Sequence, residues 1–199
     1  DMIYNYKLYL EKIESYKNEV SLRPAKALKI AVITAISGGY DSHKIPSILD
    51  ARFDYYLFTD VPTKEVGVVK IQPLPYVDGD QTRSARFVKT NAHRLLPEYD
   101  FIVWVDANLM IVGDIYPFIE KVMLNNTDIG LMRHPLRGSL YEEGEACIKH
   151  GRGDVPAIES QLNYYRSVGY KPTELFETNV LVYNLKHKKT HTFLNMWWN

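Results

Sequence analysis

Cysteine is nearly missing from this 199-residue chain, with Cys147 as the single one. No intrachain disulfide can form and zinc sites built from several thiolates are excluded, which fits a reducing, cytoplasmic setting. Net charge is missing as well, since 24 Lys and Arg balance 24 Asp and Glu. That neutrality argues against broad attraction to nucleic acid or to an anionic membrane and leaves anion binding to one focused site. No apolar run approaches the ~20 residues needed to span a bilayer, so no transmembrane segment is expected, and no signal-peptide pattern opens the chain. Gly-x-x-x-x-Gly-Lys-Ser/Thr and Gly-x-Gly-x-x-Gly are both absent, which withdraws support from P-loop kinases and nicotinamide enzymes. Repeats and low-complexity tracts are absent too.

What is present is an ordinary globular composition. Apolar and aromatic residues make up 46% of the chain, and no segment is polar enough to stay disordered. A single domain of this length buries roughly 70% of its unfolded surface, so a sizeable core is available. The sequence opens at Asp1 and closes on Trp197-Trp198-Asn199. An aromatic cluster of that kind is normally packed under further chain, so a fragment of something longer is expected, with an additional domain or partner at its ends.

Tyr6, Tyr9, Leu10, Ile13, Tyr16 and Val20 recur at three- and four-residue steps, which predicts an amphipathic helix closed by Pro24. Residues 1–25 read as a helix or connector without chemistry, and 26–199 as one α/β domain. From Lys29 onward short apolar runs rich in Val, Ile and Tyr predict strands at Ile30 to Ile36, Tyr55 to Phe58, Val68 to Ile71, Phe101 to Val105, Ile129 to Met132 and Val180 to Tyr183. Helical patterns lie between them at Arg83 to Leu96, Tyr116 to Leu124 and Pro156 to Val168. This alternation predicts a mostly parallel, Rossmann-like sheet with helices on both faces.

In Phe101-Ile-Val-Trp-Val-Asp106-Ala-Asn108 a buried strand runs straight into a carboxylate and an amide. Ligands of parallel α/β sheets collect at such carboxyl ends. Residues two apart on an extended chain share a face, so Asp106 and Asn108 can offer oxygens to one hard cation, Mn²⁺ or Mg²⁺; a simple strand-end turn is the competing reading. Upstream, Arg83, Arg86, Lys89 and His93 fall on one helical face beside an apolar face of Ala85, Val88, Ala92, Leu95 and Leu96. That stripe is either a pyrophosphate site, with forked Arg donors and a compact Lys charge, or a solvated surface. The first strand ends in Thr34-Ala35-Ile36-Ser37-Gly38-Gly39-Tyr40-Asp41, where small residues admit a ligand and Tyr40 can cover a base. The second ends at Asp60, either beside the nucleoside or capping a turn. Further on, Arg133-His134-Pro135 precedes Tyr141-Glu142-Glu143, a group of carboxylates and exchangeable protons or the acidic start of a surface helix. His187 and His191 read as a basic surface turn, with metal ligation as the competing reading.

The stretch from Phe101 to Ile115 resembles the strand, Asp-x-Asp and following strand of glycogenin-like glycosyltransferases, with Asn108 replacing the second carboxylate. Together with Ile33-Thr34-Ala35, Tyr40-Asp41, Phe58-Thr59-Asp60, Arg86 with Lys89, His134-Pro135, Tyr141-Glu142-Glu143, Gln161-Leu162 with Tyr165, and the Trp-Trp-Asn end, the chain from about Lys29 onward resembles a glycosyltransferase-like family, once of unknown function, that includes plant proteins of seed-mucilage pectin synthesis and bacterial relatives. The resemblance implies a GT-A type nucleotide-diphospho-sugar transferase fold, a nucleotide-sugar donor with a UDP-sugar first, a saccharide or glycolipid acceptor, and polysaccharide synthesis. It implies Asp106 with Glu177 and Glu143 as catalytic carboxylates, and Glu177 and Asn179 on the acceptor side. It places the donor against Thr34, Ala35, Tyr40, Asp60, Arg83, Arg86, Lys89, Asp106 and Asn108. In relatives the chain continues past Trp-Trp-Asn into an Arg-Asp-Gln segment bordering the reacting carbon. Two rivals stand beside this reading, a nucleotidyltransferase and a catalytically silent saccharide-binding or assembly module. Retention or inversion is not decided by these residues.

Overall fold

A computed structural model describes residues 2–39, 42, 44–61 and 67–199, with side chains from Tyr6 onward. In chain order the elements are α1 (Met2–Ser21), β1 (Ile30–Ile36), β2 (Phe53–Thr59), β3 (Val69–Pro73), α2 (Gln81–Leu95), β4 (Phe101–Val105), α3 (Tyr116–Leu124), β5 (Ile129–Arg133), α4 (Leu140–Lys149), α5 (Val155–Ser167), β6 (Phe176–Asn184) and α6 (Lys188–Trp198). One sheet takes the order β3-β2-β1-β4-β6-β5. β1 pairs parallel with β2 and β4, β2 pairs parallel with β3, and β4 pairs antiparallel with β6. The mixed, mostly parallel α/β sheet expected from the sequence is therefore present.

The chain divides into two compact units, Asp1–Gly130 with Asn179–Asn199, and Leu131–Thr178. In the first unit every residue of β1 and β4 is buried, which is why both read as unbroken apolar runs instead of alternating ones. Their two faces build two cores. On one, Ile30, Val32, Phe53, Tyr55, Phe101 and Val103 pack with Tyr16 of α1 and with Ile119 and Val122 of α3. On the other, Ala31, Ile33, Ile102 and Trp104 pack with Val88 and Ala92 of α2 and with Leu194 of α6. The Tyr16 hydroxyl donates to the Phe53 carbonyl at 2.7 Å and so fixes α1 onto β2. Burial raises the basicity of that phenolate site well above the ordinary tyrosine range, so the hydroxyl stays a donor. α2 starts at a capped end, where Asp80 accepts from the Arg83 backbone N–H at 2.9 Å.

The second unit pairs α4 with α5. Gly144 lies against Leu162, and a Cβ added there would meet the Leu162 side chain at 2.7 Å, so the glycine sets the helix–helix distance. Ser139 caps α4, and Glu142 and Glu143 sit in its first turn, favourable to the helix dipole.

Four expectations need correction. Leu109 to Ile115 forms no strand; instead Leu109, Ile111 and Ile115 fold back as apolar cover over the first core. Tyr6 and Leu10 are exposed, so only the later part of the α1 stripe, Ile13 and Tyr16 with partly buried Tyr9 and Val20, meets protein. β6 begins four residues before the predicted Val180. His187 and His191 do not form a surface turn. His187 is the N-cap residue of α6 with Nδ1 3.0 Å from Asp128, and His191 lies within α6, its Nε2 hydrogen-bonded to the Leu185 carbonyl at 2.8 Å.

Candidate active site

Asp106 follows directly on the last residue of β4, and the antiparallel ladder with β6 ends with its backbone N–H donating to Asn179 O at 2.8 Å. The Leu109 N–H returns to the Asp106 carbonyl at 2.9 Å. Asp106 therefore stands on a turn whose two ends are both hydrogen-bonded. Its Oδ1 accepts from the Trp104 indole N–H at 2.6 Å and from the Lys89 ammonium at 3.4 Å. Trp104 is two residues earlier on the same face of the strand, so the indole aims the carboxylate.

Lys89 projects from α2 with its side chain 9% exposed, against 39% for Asp106. Its Nζ also lies 5.4 Å from the Trp104 ring centroid, a cation–π distance. Burial lowers the Lys89 pKa, opposed by the attraction and hydrogen bond of Asp106, while Arg86 one turn earlier lowers it further by repulsion. The backbone carbonyl of Lys89 accepts from the hydroxyl of Tyr183, a fully buried residue of β6, at 3.0 Å. Burial and the neighbouring Asp106 charge raise the Tyr183 pKa well above the ordinary range, so the phenol remains protonated and ties α2 to the sheet. Trp104 and Tyr183 escape sequence reasoning as site residues because both look like core aromatics.

A small cavity of about 30 Å³ opens beside Asp106, lined among others by Thr34, Lys44, Pro46, Tyr55, Ala107 and Ile111. That volume is on the scale of one water molecule, too small for a nucleotide. Thr34 is nine-tenths buried, and its hydroxyl has no hydrogen-bond partner among the described residues. An unpaired buried hydroxyl costs free energy unless a water or ligand satisfies it. Lys44 carries no sequence signal at all, since a lone lysine in a loop becomes relevant only when the fold brings it to the same cavity as Asp106.

The other predicted positions fall in different surroundings. Ala35 is in the core under α2. Asp60 closes the end of β1 by accepting from the Gly38 N–H at 2.8 Å and from the Ser37 hydroxyl at 2.9 Å. Gly38 has φ +61, and a Cβ there would meet Gln81 of α2 at 2.0 Å, so only glycine fits. Tyr40, with Asp41, lies outside the described residues. The cationic face of α2 is split: Arg83 and Arg86 are exposed, whereas Lys89 and His93 are buried. Arg83 is held by Asp78 at 3.5 Å and by the Trp198 ring. Trp198 also packs edge-on against Tyr76 and Phe87, while Trp197 is exposed. His93 pairs with Asn195 at 2.9 Å.

Asn108 is exposed. A hard divalent cation wants several oxygen ligands, yet the set here is one carboxylate, already carrying an ammonium and an indole N–H, plus one amide. Among the described residues no group of three or more His, Cys, Asp or Glu converges to hold a metal. The residues fit such an ion poorly.

Within the second unit, His134 lies with Nε2 3.7 Å from Glu143 and 3.8 Å from Glu177. Its Nδ1 accepts from the backbone N–H groups of Leu136 and Arg137 at 3.2 and 3.0 Å. Nε2 faces the two carboxylates and also lies 3.2 Å from the Arg137 guanidinium. Arg137 forms an ion pair with Glu143. Glu143 and Glu177, predicted from distant parts of the sequence, are thus brought to one imidazole.

The chain is a member of the TOD1/MUCI70 glycosyltransferase-like domain family, whose family model matches residues 17–183. This is the family expected from the motifs. Among relatives, it is 28% identical over 164 residues, 72% of this chain, to a protein of Arabidopsis thaliana named probable hexosyltransferase MUCI70. It is 30% identical over 82 residues, 40% of this chain, to the alkaline ceramidase TOD1 of the same plant. These matches span 28% and 18% of the length of those two relatives. Among solved structures it is similar to apo mouse xyloside xylosyltransferase 1, with TM-score 0.44 and 12% identity over 86% of this chain and 71% of that one. No helix of the described residues is long and apolar enough to cross a membrane.

Proposed function

We propose that the chain is the donor-binding catalytic domain, of GT-A type, of a hexosyltransferase. It moves a sugar from a nucleoside-diphosphate sugar, a UDP-sugar first, to a saccharide or lipid-linked acceptor in glycan synthesis. The observation that supports this most is Asp106 fixed at the carboxyl end of β4 by Trp104 and Lys89, beside the cavity with the unpaired Thr34 hydroxyl. Strand ends of this kind hold ligands in open α/β sheets.

In the reaction the acceptor oxygen forms a bond to the anomeric carbon. The bond from that carbon to the β-phosphate oxygen breaks and its electron pair goes to the phosphate. The acceptor's hydroxyl proton passes to a carboxylate or to the departing phosphate itself. The leaving diphosphate gains negative charge as the bond breaks, so cations placed beside it stabilise the transition state more than the bound donor.

The test is thermal denaturation of the chain with a panel of nucleoside diphosphates and their sugars, since ligands of the native state raise its stability by mass action. Stabilisation by one nucleotide that disappears in Asp106→Ala supports the donor site. Donor binding without transfer or hydrolysis supports a silent saccharide-binding module. A second activity, cleavage of a ceramide amide, is favoured by the relative named alkaline ceramidase; fatty acid released from ceramide, with no response to any nucleotide, refutes the transferase reading.

A further inference from the structure

Resting on that reading, we propose that the counter-charge for the donor diphosphate comes from Lys44, Arg86 and Lys89, and that no divalent cation takes part in holding it. The ligand set around Asp106 points this way. Its Oδ1 already accepts from Lys89 and Trp104, the neighbouring amide of Asn108 brings no charge, and no group of three or more His, Cys, Asp or Glu converges there among the described residues. A metal entering at Asp106 would have to displace or approach a buried ammonium, which is like-charge repulsion in a poorly solvated place.

The protein's own cations lie on both sides of this carboxylate or beside its lysine partner. Lys89 reaches Asp106 from α2 on one face of the sheet. Lys44 lines the cavity that contains Asp106 on the other, where Val32, Tyr55 and Val105 of the first core form its walls. Lys44 is exposed, and its ammonium donates to the Ser42 hydroxyl at 3.0 Å. Arg86 is exposed one turn before Lys89 and near enough to repel it. Among the described residues neither Lys44 nor Arg86 pairs with a carboxylate. Lys44 and Arg86 add positive charge that the Lys89–Asp106 pair does not cancel, of the sign a diphosphate needs, while the Asp60 carboxylate is held by Ser37 and Gly38. Arg86 adds a planar fork suited to two phosphate oxygens, and the lysines add compact charges. Asp106 then serves to hold Lys89 charged and in place, a positioning role, instead of ligating a metal.

The experiment is titration calorimetry of the chain with UDP, GDP and ADP, first in EDTA and then with Mn²⁺, alongside the paramagnetic resonance signal of free Mn²⁺. The diphosphate that binds is expected to do so equally well in both conditions, within about twofold, and the protein is expected to leave the free Mn²⁺ signal unchanged. Lys44→Met and Arg86→Met, both at exposed positions, should each weaken it roughly 10- to 100-fold, the range for a lost charge-assisted hydrogen bond, with unchanged melting temperature. Lys89→Arg should retain more binding than Lys89→Met. Binding that needs Mn²⁺, or Mn²⁺ captured by the wild type and lost in Asp106→Asn, overturns this inference and leaves the transferase reading standing. No binding of any diphosphate in either condition overturns both.

Discussion

Replacing Asp106 by Asn removes one negative charge and almost no volume, and keeps an acceptor for the Trp104 indole. What remains is Lys89, whose side chain is 9% exposed, without its carboxylate. Stripping one partner from a fully buried ion pair costs about 3–5 kcal/mol. Asp106 is 39% exposed, so solvent screens much of the attraction, and about 1–2 kcal/mol is the expected loss. In a domain of this size that lowers the melting temperature by about 2–8 °C. The pH dependence gives the sharper test. Burial already holds the Lys89 pKa below its ordinary 10.5, so across the interval between the two values the unfolded chain binds more protons than the folded one and stability rises with pH. Without Asp106 the folded value falls further. The loss is therefore complete at pH values below the folded pKa of Lys89 in both proteins, and shrinks as pH climbs through those folded values toward 10.5. Melting curves of both proteins near pH 7 and near pH 10 check this. An equal loss at both, or none near pH 7, refutes the view that Asp106 stabilises a buried ammonium.

Tyr16→Phe deletes a buried hydroxyl that donates to the Phe53 carbonyl, and about 0.5–1.5 kcal/mol of stability should go with it in urea denaturation. Gly144→Ala drives a methyl into Leu162; overpacking of about 1–3 kcal/mol outweighs the roughly 1 kcal/mol that alanine adds to helix propensity. Its net cost should appear as faster proteolysis between Leu131 and Thr178.

How legible the fold was depends on how each element meets water. β1 and β4 were read to the residue because both faces are buried, so Ile30 to Ile36 and Phe101 to Val105 are solid apolar runs stopped by Ser37 and Asp106. The start of β6 was missed because Phe176 to Asn179 alternates exposed and half-buried positions and carries Glu and Thr. α6 was missed because only Thr190 and Leu194 of its eleven residues are buried, too thin a stripe to show a helical period. In the site, Asp106 stood out because a carboxylate directly after a buried strand is chemically abrupt. Lys89 was visible as part of a cationic face, but its separation from Arg83 depends on how α2 is rotated against the sheet. Lys44 and the pairing of His134 with Glu143 and Glu177 come from long-range topology, which no local spacing records.

The latch formed by Asp60 has a consequence for where a nucleotide can lie. A glycine turn after the first strand of an α/β sheet offers phosphate binding only while its amides are free, as in the backbone cradles of nucleotide-binding enzymes. Here the Gly38 amide and the Ser37 hydroxyl are already spoken for by a carboxylate, whose negative charge turns an anion away. The glycine turn thus acts as a clasp between β1 and β2 and not as an anion cradle.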